Sequence, residues 1–213
     1  MRLLSSWSGG KDSCFALMAA IKRGGEVKVL LNMMNENGKI SRSHGIPLLI
    51  LQQQAAAMKV PLETCQATWE EYEVTFIETL MQLKHTHEID AAIFGDIDIQ
   101  SHRDWEEKVC HTANLNAVLP LWKGDRKQLV IDMLNSGIKA IIVSCNTTLG
   151  KEFLGREISL NLLDELEHLG VDCCGENGEY HTLVIDCPLF EKSIQLPNYK
   201  KVQHENYCFI DWD

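Results

Sequence analysis

Residues 8–13 read Ser-Gly-Gly-Lys-Asp-Ser and follow directly on an apolar run that includes Leu3 and Leu4. Glycines such as Gly9 and Gly10 reach backbone angles closed to other residues, so successive amide N–H groups can converge on one anion. A helix starting near Lys11 would aim its free N–H groups and the positive end of its dipole at the same point. Ser8 and Ser13 add hydroxyls, Lys11 a positive charge, and Asp12 a carboxylate suited to Mg²⁺ or to orienting a substrate. A capped strand–turn–helix joint needs only part of this set; the whole of it reads as a phosphate cradle. A second constellation, Cys-Gly-Glu-Asn-Gly-Glu-Tyr-His-Thr, occupies residues 174–182. There Glu176 and Glu179 alternate with Gly175 and Gly178 in a segment too turn-rich for a helix, beside Asn177, Tyr180 and His181. Such a group could bind Mg²⁺, orient an amine or supply a general base. Asn-Gly is also a favoured turn dipeptide, so a solvated acidic turn is the competing reading.

The first loop lacks the four-residue spacer of a Walker A motif and the G-x-G-x-x-G pattern of dinucleotide sites. It resembles the pyrophosphate loop of the N-type ATP pyrophosphatases, among them GMP synthetase, asparagine synthetase and tRNA-thiolating enzymes. That resemblance implies attack at the α-phosphorus of ATP with release of pyrophosphate, not γ-phosphoryl transfer. Ser8–Ser13, Gly95-Asp96-Ile97, Pro120-Leu121-Trp122 and Gly175–Thr182 occur in this order across essentially the whole chain. Together they resemble the diphthine–ammonia ligase family of the PP-loop superfamily, also described as adenine-nucleotide α-hydrolase-like.

The resemblance implies a Rossmann-like (HUP-type) α/β domain with a parallel sheet, a smaller C-terminal α+β domain, and ATP in the cleft between them. It also implies amidation of diphthine, the modified histidine of elongation factor 2, with ATP and ammonium. Asn177 stands where ligase members of archaea and eukaryotes have glycine, and His181 where they have glutamate. This version resembles the bacterial branch, and bacteria make no diphthamide. The general chemistry carries over, while the carboxylate acted on, a small molecule or a protein, stays open.

The expected reaction is acyl-adenylate formation followed by displacement of AMP by ammonia or an amine. In that scheme Lys11 neutralises phosphate charge, Asp12 contacts Mg²⁺, and Glu176 and Glu179 position the amine and take its proton. Met33, after the second strand, is placed where an adenine would lie, though a core methionine fits equally well. His44 is a candidate for the α-phosphate, Gly95 and Asp96 line the site beyond a strand end, and Arg103 pairs with a phosphate or a substrate carboxylate. Asn177, Gly178, Tyr180 and His181 complete the substrate side, His181 sharing proton transfer near neutral pH. The alternatives are a PP-loop enzyme acting on tRNA or another small carboxylate, and a nucleotide sensor without turnover.

The elements that must hold these residues follow from composition and pattern. A chain of 213 residues, 45% apolar, can bury one large core or two small ones. A net charge of −10 disfavours a bulk electrostatic grip on nucleic acid. No apolar run approaches the ~20 residues a bilayer requires. Eight cysteines, none in a C-x-x-C pair, with no signal-peptide pattern point to reduced thiols in a cytoplasm. A homodimer is an assembly open to it. The first half alternates short apolar strands with helical patterns, as βαβ units do. Strands are expected at 2–6, 27–34, 62–66, 91–94 and 117–119, and helices at 12–23, 46–58, 70–84 and 105–114. The polar stretch 35–43 is expected as a mobile loop. A boundary near Pro120 divides an ATP-binding half, 1–120, from a substrate-binding α+β half, 121–213. The second half is expected to hold helices at 126–136 and 160–169 and extended segments at 138–144, 182–186, 193–196 and 206–212.

Overall fold

A computed structural model describes all residues 1–213. Strands β1 (Arg2–Ser6), β2 (Glu26–Met34), β3 (Leu62–Gln66), β4 (Ala91–Ile93) and β5 (Asn116–Val118) form one parallel sheet in the order β3-β2-β1-β4-β5. Helices α1 (Lys11–Lys22), α2 (Leu48–Met58), α3 (Tyr72–His87) and α4 (Gln100–Thr112) connect them. Helices α1 and α2 cover one face of the sheet and α3 and α4 the other. This is a Rossmann-like α/β arrangement. Its strand order reverses between β1 and β4, where open α/β sheets leave a crevice at the carboxyl ends of the strands.

After α5 (Arg126–Asn135), the chain forms an antiparallel sheet in the order β7-β6-β9-β8. Its members are β6 (Lys139–Asn146), β7 (Tyr180–Asp186), β8 (Tyr199–His204) and β9 (Tyr207–Trp212), with α6 (Leu160–His168) between β6 and β7. One cluster of 43 buried apolar residues runs from Leu3, Leu17 and Leu51 through Ile142, Leu183 and Ile210, so both sheets share a core. At about 25 cal/mol per Å² of apolar surface removed from water, a continuous core of this kind is the main force holding the halves together.

Three expectations are corrected. Stretch 35–43 is not loose: Asn35 N donates to the Ile40 carbonyl at 2.9 Å, Met34 bridges Ser41, and Ser41 is buried. The asparagine and serine side chains supply the turn bonds that apolar contacts would supply elsewhere; Asn35 Oδ1 accepts from Lys39 N at 3.1 Å. Helix α4 begins five residues before Trp105, because its first turn is polar and carries no apolar periodicity to announce it. Residues 193–196 form no strand, while the unexpected β8 is an edge strand with Val202 as its one partly buried apolar residue. An edge strand of alternating charge and polarity reads like a loop.

Candidate active site

The crevice at the strand reversal is occupied by the Ser8–Ser13 loop. Gly9 adopts φ +84°, which turns the chain from the end of β1 into α1. Gly95, just beyond β4, packs so closely on the start of α1 that a Cβ would lie 2.8 Å from the Ser13 nitrogen. Ser8 Oγ and Ser13 Oγ are 3.0 Å apart. Gln54, wholly buried on α2, fixes the loop from beneath: its Nε2 donates to the Gly9 carbonyl (3.0 Å) and the Val184 carbonyl (2.8 Å), and its Oε1 accepts from Trp7 Nε1 (2.9 Å).

Strand β7 docks on this loop. Lys11 N donates to Thr182 Oγ1 at 3.0 Å, and Val184 N donates to the Gly9 carbonyl at 2.9 Å. Lys11 itself is 3% exposed. Its Nζ donates to the Asp12 carboxylate (2.8 Å) and the Cys174 carbonyl (2.5 Å) and sits 5.3 Å from the centre of the Tyr180 ring. Burial opposes the Lys11 charge, but the Asp12 carboxylate outweighs it and the pKa is raised. Lys11 is therefore both the cation beside the cradle and the pin joining it to the 174–182 loop.

That loop is braced from two sides. The Arg126 guanidinium spans Asp98 (2.6 and 2.9 Å) and Asp172 (2.6 Å), and Asp172 Oδ2 accepts from Glu176 N at 3.0 Å. Glu176 Oε1 accepts from Ile97 N at 3.1 Å, which holds the carboxylate against the segment after β4. Burial pushes the Glu176 pKa up to about 7; the Ile97 bond counters, and Asp12 and Asp96 add to the rise.

The result is a cleft of about 830 Å³ lined by both sheets. Ser8, Lys11, Asp12, Ser13, His44, Gly95 and Asp96 face it from the N-terminal half. Glu176, Asn177, Gly178, Tyr180 and His181 face it from the C-terminal half. Of the other residues singled out in the sequence, Gly9 and Gly10 are buried in the turn itself, and Glu179, Arg103 and Met33 lie elsewhere. Glu179 turns back on its own loop, accepting from Asn177 N at 3.0 Å and Asn177 Nδ2 at 3.1 Å. Arg103 pairs with Glu107 at 2.7 Å and lies over Trp122. Met33 is buried among the residues under α3 and α4.

Sequence reasoning passed over Gln54, Arg126 and Glu106. Gln54 left a signal, since it occupies the apolar stripe of α2 with Ile50, Leu51 and Ala55. A polar residue on a buried stripe needs partners, and three backbone or side-chain groups here supply them. Glu106 likewise shares the buried stripe of α4 with Val109 and Cys110 and is 3% exposed.

The His44 and His181 rings lie against each other with centres 4.7 Å apart and planes tilted by 38°. His44 Nδ1 lies 2.9 Å from the Thr182 carbonyl. A carbonyl only accepts, so Nδ1 carries the proton and Nε2 of the neutral ring is the free base. Burial lowers the His44 pKa to about 4 and that of His181 to about 3, with Lys11 adding to both. Both rings are neutral in the fold and protonated in the unfolded chain below pH ~6.5. Folding thus releases protons in that range, and the pair's contribution to stability is lost as pH falls from ~6.5 toward 4. Glu106 and Glu176, with raised pKa values, act in the opposite sense. The expected result is a smaller drop in urea midpoint between pH 6.5 and 4.5 for H44N/H181N than for the parent, as followed by circular dichroism.

Beyond the two rings lies a second cavity of about 620 Å³, which shares Ser43, His44 and His181 with the first. It is lined by Val202, Phe209 and Trp212 from β8 and β9 and by Ile40 and Pro47 from the segment after β2.

The diphthamide synthase N-terminal domain matches residues 1–117, and the diphthamide synthase C-terminal domain matches residues 125–213. The chain belongs to the diphthamide synthase family. The diphthine–ammonia ligase of Mus musculus is 31% identical over 242 residues, covering 98% of this chain and 88% of that protein. The diphthine–ammonia ligase of Schizosaccharomyces pombe is 32% identical and covers 99% of this chain, which spans only 39% of that longer relative. Among solved structures, a predicted subunit of a tRNA methyltransferase from Methanocaldococcus jannaschii aligns with a TM-score of 0.46 and 14% identity, over 91% of this chain and 100% of that one. At that distance it bears on neither the fold nor the reaction. No helix is long and apolar enough to cross a membrane.

Proposed function

We propose that this family member, an ATP-dependent amide-forming ligase, binds ATP in the larger cleft with the pyrophosphate on Ser8–Ser13, and takes its carboxylate substrate from the second cavity. The reading is carried by one observation: the phosphate cradle and the Glu176 carboxylate face the same cleft from opposite halves of the chain. A carboxylate oxygen attacks the α-phosphorus, the bond from that phosphorus to the bridging oxygen breaks, and pyrophosphate leaves. The cradle's N–H groups and Lys11 stabilise the departing charge. An amine nitrogen then attacks the acyl carbon of the adenylate, the bond to AMP breaks, and Glu176 accepts a proton from the nitrogen.

His44 and His181 stand between the two cavities, where the carboxylate and the α-phosphate would meet. Neutral rings there do not hold the carboxylate as an ion pair, which leaves it nucleophilic. Asn177, Gly178 and Tyr180 shape the amine side of the cleft, and Glu179 acts by fixing the loop rather than by touching substrate. Arg103 sits too far toward Glu107 to be assigned a substrate contact.

The residues do not form a resident metal centre. No group of three or more His, Cys, Asp or Glu side chains could hold an ion, and Asp12 is already paired with Lys11. Asp12 is the carboxylate we assign to Mg²⁺ arriving on the ATP phosphates, where the ion neutralises charge as pyrophosphate departs. The eight unpaired cysteines support a cytoplasmic location.

Diphthine is the substrate named for the curated relatives. The side chains of Val202, Phe209 and Trp212 in the lining of the second cavity suit an acid with a substantial carbon body. The test is product analysis with ATP labelled in the α-phosphate, offering diphthine-bearing elongation factor 2 and free carboxylic acids in turn. AMP and pyrophosphate with an amide product are expected. ADP, or AMP formed without any acid or amine being consumed, would reject the reading.

A further inference from the structure

Outside the phosphate cradle, the same cleft has a corner with unusual charge balance. Elsewhere the molecule gives its close acidic pairs a strong base: Arg126 lies between Asp98 and Asp172, and Arg2 between Glu88 and Asp90. Asp96 and Glu106 have no such partner. Asp96 has only His102, at 2.7 Å and largely exposed. Glu106 is 3% exposed, lines the cleft, and its Oε2 has no hydrogen-bond donor.

A buried carboxylate without a partner is too costly to stay ionised. Burial and the adjacent Asp96 push the Glu106 carboxyl up to about 11, with Glu176 close enough to add to the rise. The Asp96–Glu106 pair therefore holds a proton between its two carboxyl groups. The walls around it are aromatic. Tyr72, Phe94 and Trp105 all line the cleft, and the Tyr72 and Trp105 rings are 5.8 Å apart. Ring faces attract small nitrogen cations.

We propose that the corner formed by Asp96, Glu106 and Glu176 against Tyr72, Phe94 and Trp105 is the amine-donor site, and that it takes the donor as ammonium. The inference rests on the ligase reading and says where its nitrogen is held. Ammonium displaces the shared proton to solvent, takes its place as the cation between the carboxylates, and presents an N–H donor to Glu106 Oε2, which has none. It passes one proton to the Glu176 carboxylate. The lone pair of the resulting ammonia forms the carbon–nitrogen bond as the bond to AMP breaks, and the second proton leaves to solvent.

Calorimetric titration with ammonium chloride, sodium chloride and tetramethylammonium chloride at fixed ionic strength tests this, using protein saturated with α,β-methylene-ATP. Saturable binding of ammonium alone is expected. E106Q, whose amide can donate to Asp96 in place of the proton, should bind ammonium at least tenfold more weakly with ATP-analogue affinity unchanged. W105L should weaken ammonium about threefold or more by removing a ring face. Equal ammonium affinity in E106Q, or no preference over sodium, would overturn the proposal. So would exclusion of ammonium by the ATP analogue, which would make this corner part of the nucleotide site. Loss of ammonium binding with ATP binding intact leaves the adenylation reading standing; the two failures are separable.

Discussion

Lys11→Met should lose ATP binding by roughly 100-fold or more, while the folded protein remains detectable by circular dichroism. The size follows from what the ammonium group does. Hydrogen bonds to charged groups contribute about 1.5–3 kcal/mol each, and 1.4 kcal/mol is a factor of ten. A lysine serving two phosphate oxygens accounts for two such terms. The same substitution strips the Asp12 carboxylate and the Cys174 carbonyl of their donor, at 2.8 and 2.5 Å. Breaking a buried pair by removing one partner costs on the order of 3–5 kcal/mol. Asp12 keeps some solvent contact, with a side chain 28% exposed, so the smaller figure is the better guide.

Two measurements separate the effects. Urea midpoints without nucleotide report the lost pin, and the increase in melting temperature on adding ATP reports the lost grip, since a ligand stabilises by RT ln(1 + [L]/Kd). K11M/D12N should recover part of the urea midpoint, because no unpaired carboxylate remains, and should recover none of the ATP-dependent shift. An undiminished ATP shift in Lys11→Met would remove the loop from the nucleotide site altogether.

The double duty of Lys11 shows what was legible in the sequence and what was not. The strand–glycine–helix order around residues 8–13 is local: apolar β1, a positive φ at Gly9 and a helix from Lys11 are all written within a few residues. The same holds for the βαβ alternation that fixes the parallel sheet. What Lys11 bonds to is not local. Its acceptor Cys174 is 163 residues away, and the Thr182 hydroxyl that accepts from its amide is 171 away. Such pairings depend on how β7 lays itself across the loop, and no periodicity encodes that.

Glu179 illustrates the converse. Two glutamates three residues apart look equivalent in a chain of letters. The Gly175 and Gly178 turns, both at positive φ, send Glu176 into the cleft and fold Glu179 back on Asn177. The partner of Arg103 likewise depends on the helix register. On α4 it lies one turn before Glu107, and an i,i+4 pair claims it. Glu106, its neighbour in sequence, faces the other way and is buried. A helix start hidden in polar residues therefore concealed which of the charged side chains between Arg103 and Lys108 entered the cleft.

The difference between the two glutamates leads to the second large effect. Glu176→Gln keeps an oxygen to accept from Ile97 N and changes no volume, so ATP binding should stay within about threefold of the parent. Amide formation should fall by about 10²–10⁴, the usual contribution of a positioned general base. Adenylation should persist, so pyrophosphate release should outrun amide formation and an acyl-adenylate should accumulate in rapid-quench samples. In the parent, the base is the carboxylate form. With a pKa raised to about 7, its fraction grows as pH rises through neutrality, and single-turnover amide formation should climb between pH 6 and 8 and then level. The variant has no group to deprotonate there, so that climb should be absent from its profile. Glu179→Gln should lower pyrophosphate release and amide formation together, because it loosens the loop that carries Glu176 instead of removing a proton acceptor. Were the two variants to show the same pH profile, the assignment of the proton to Glu176 would fail, whatever the size of the rate loss.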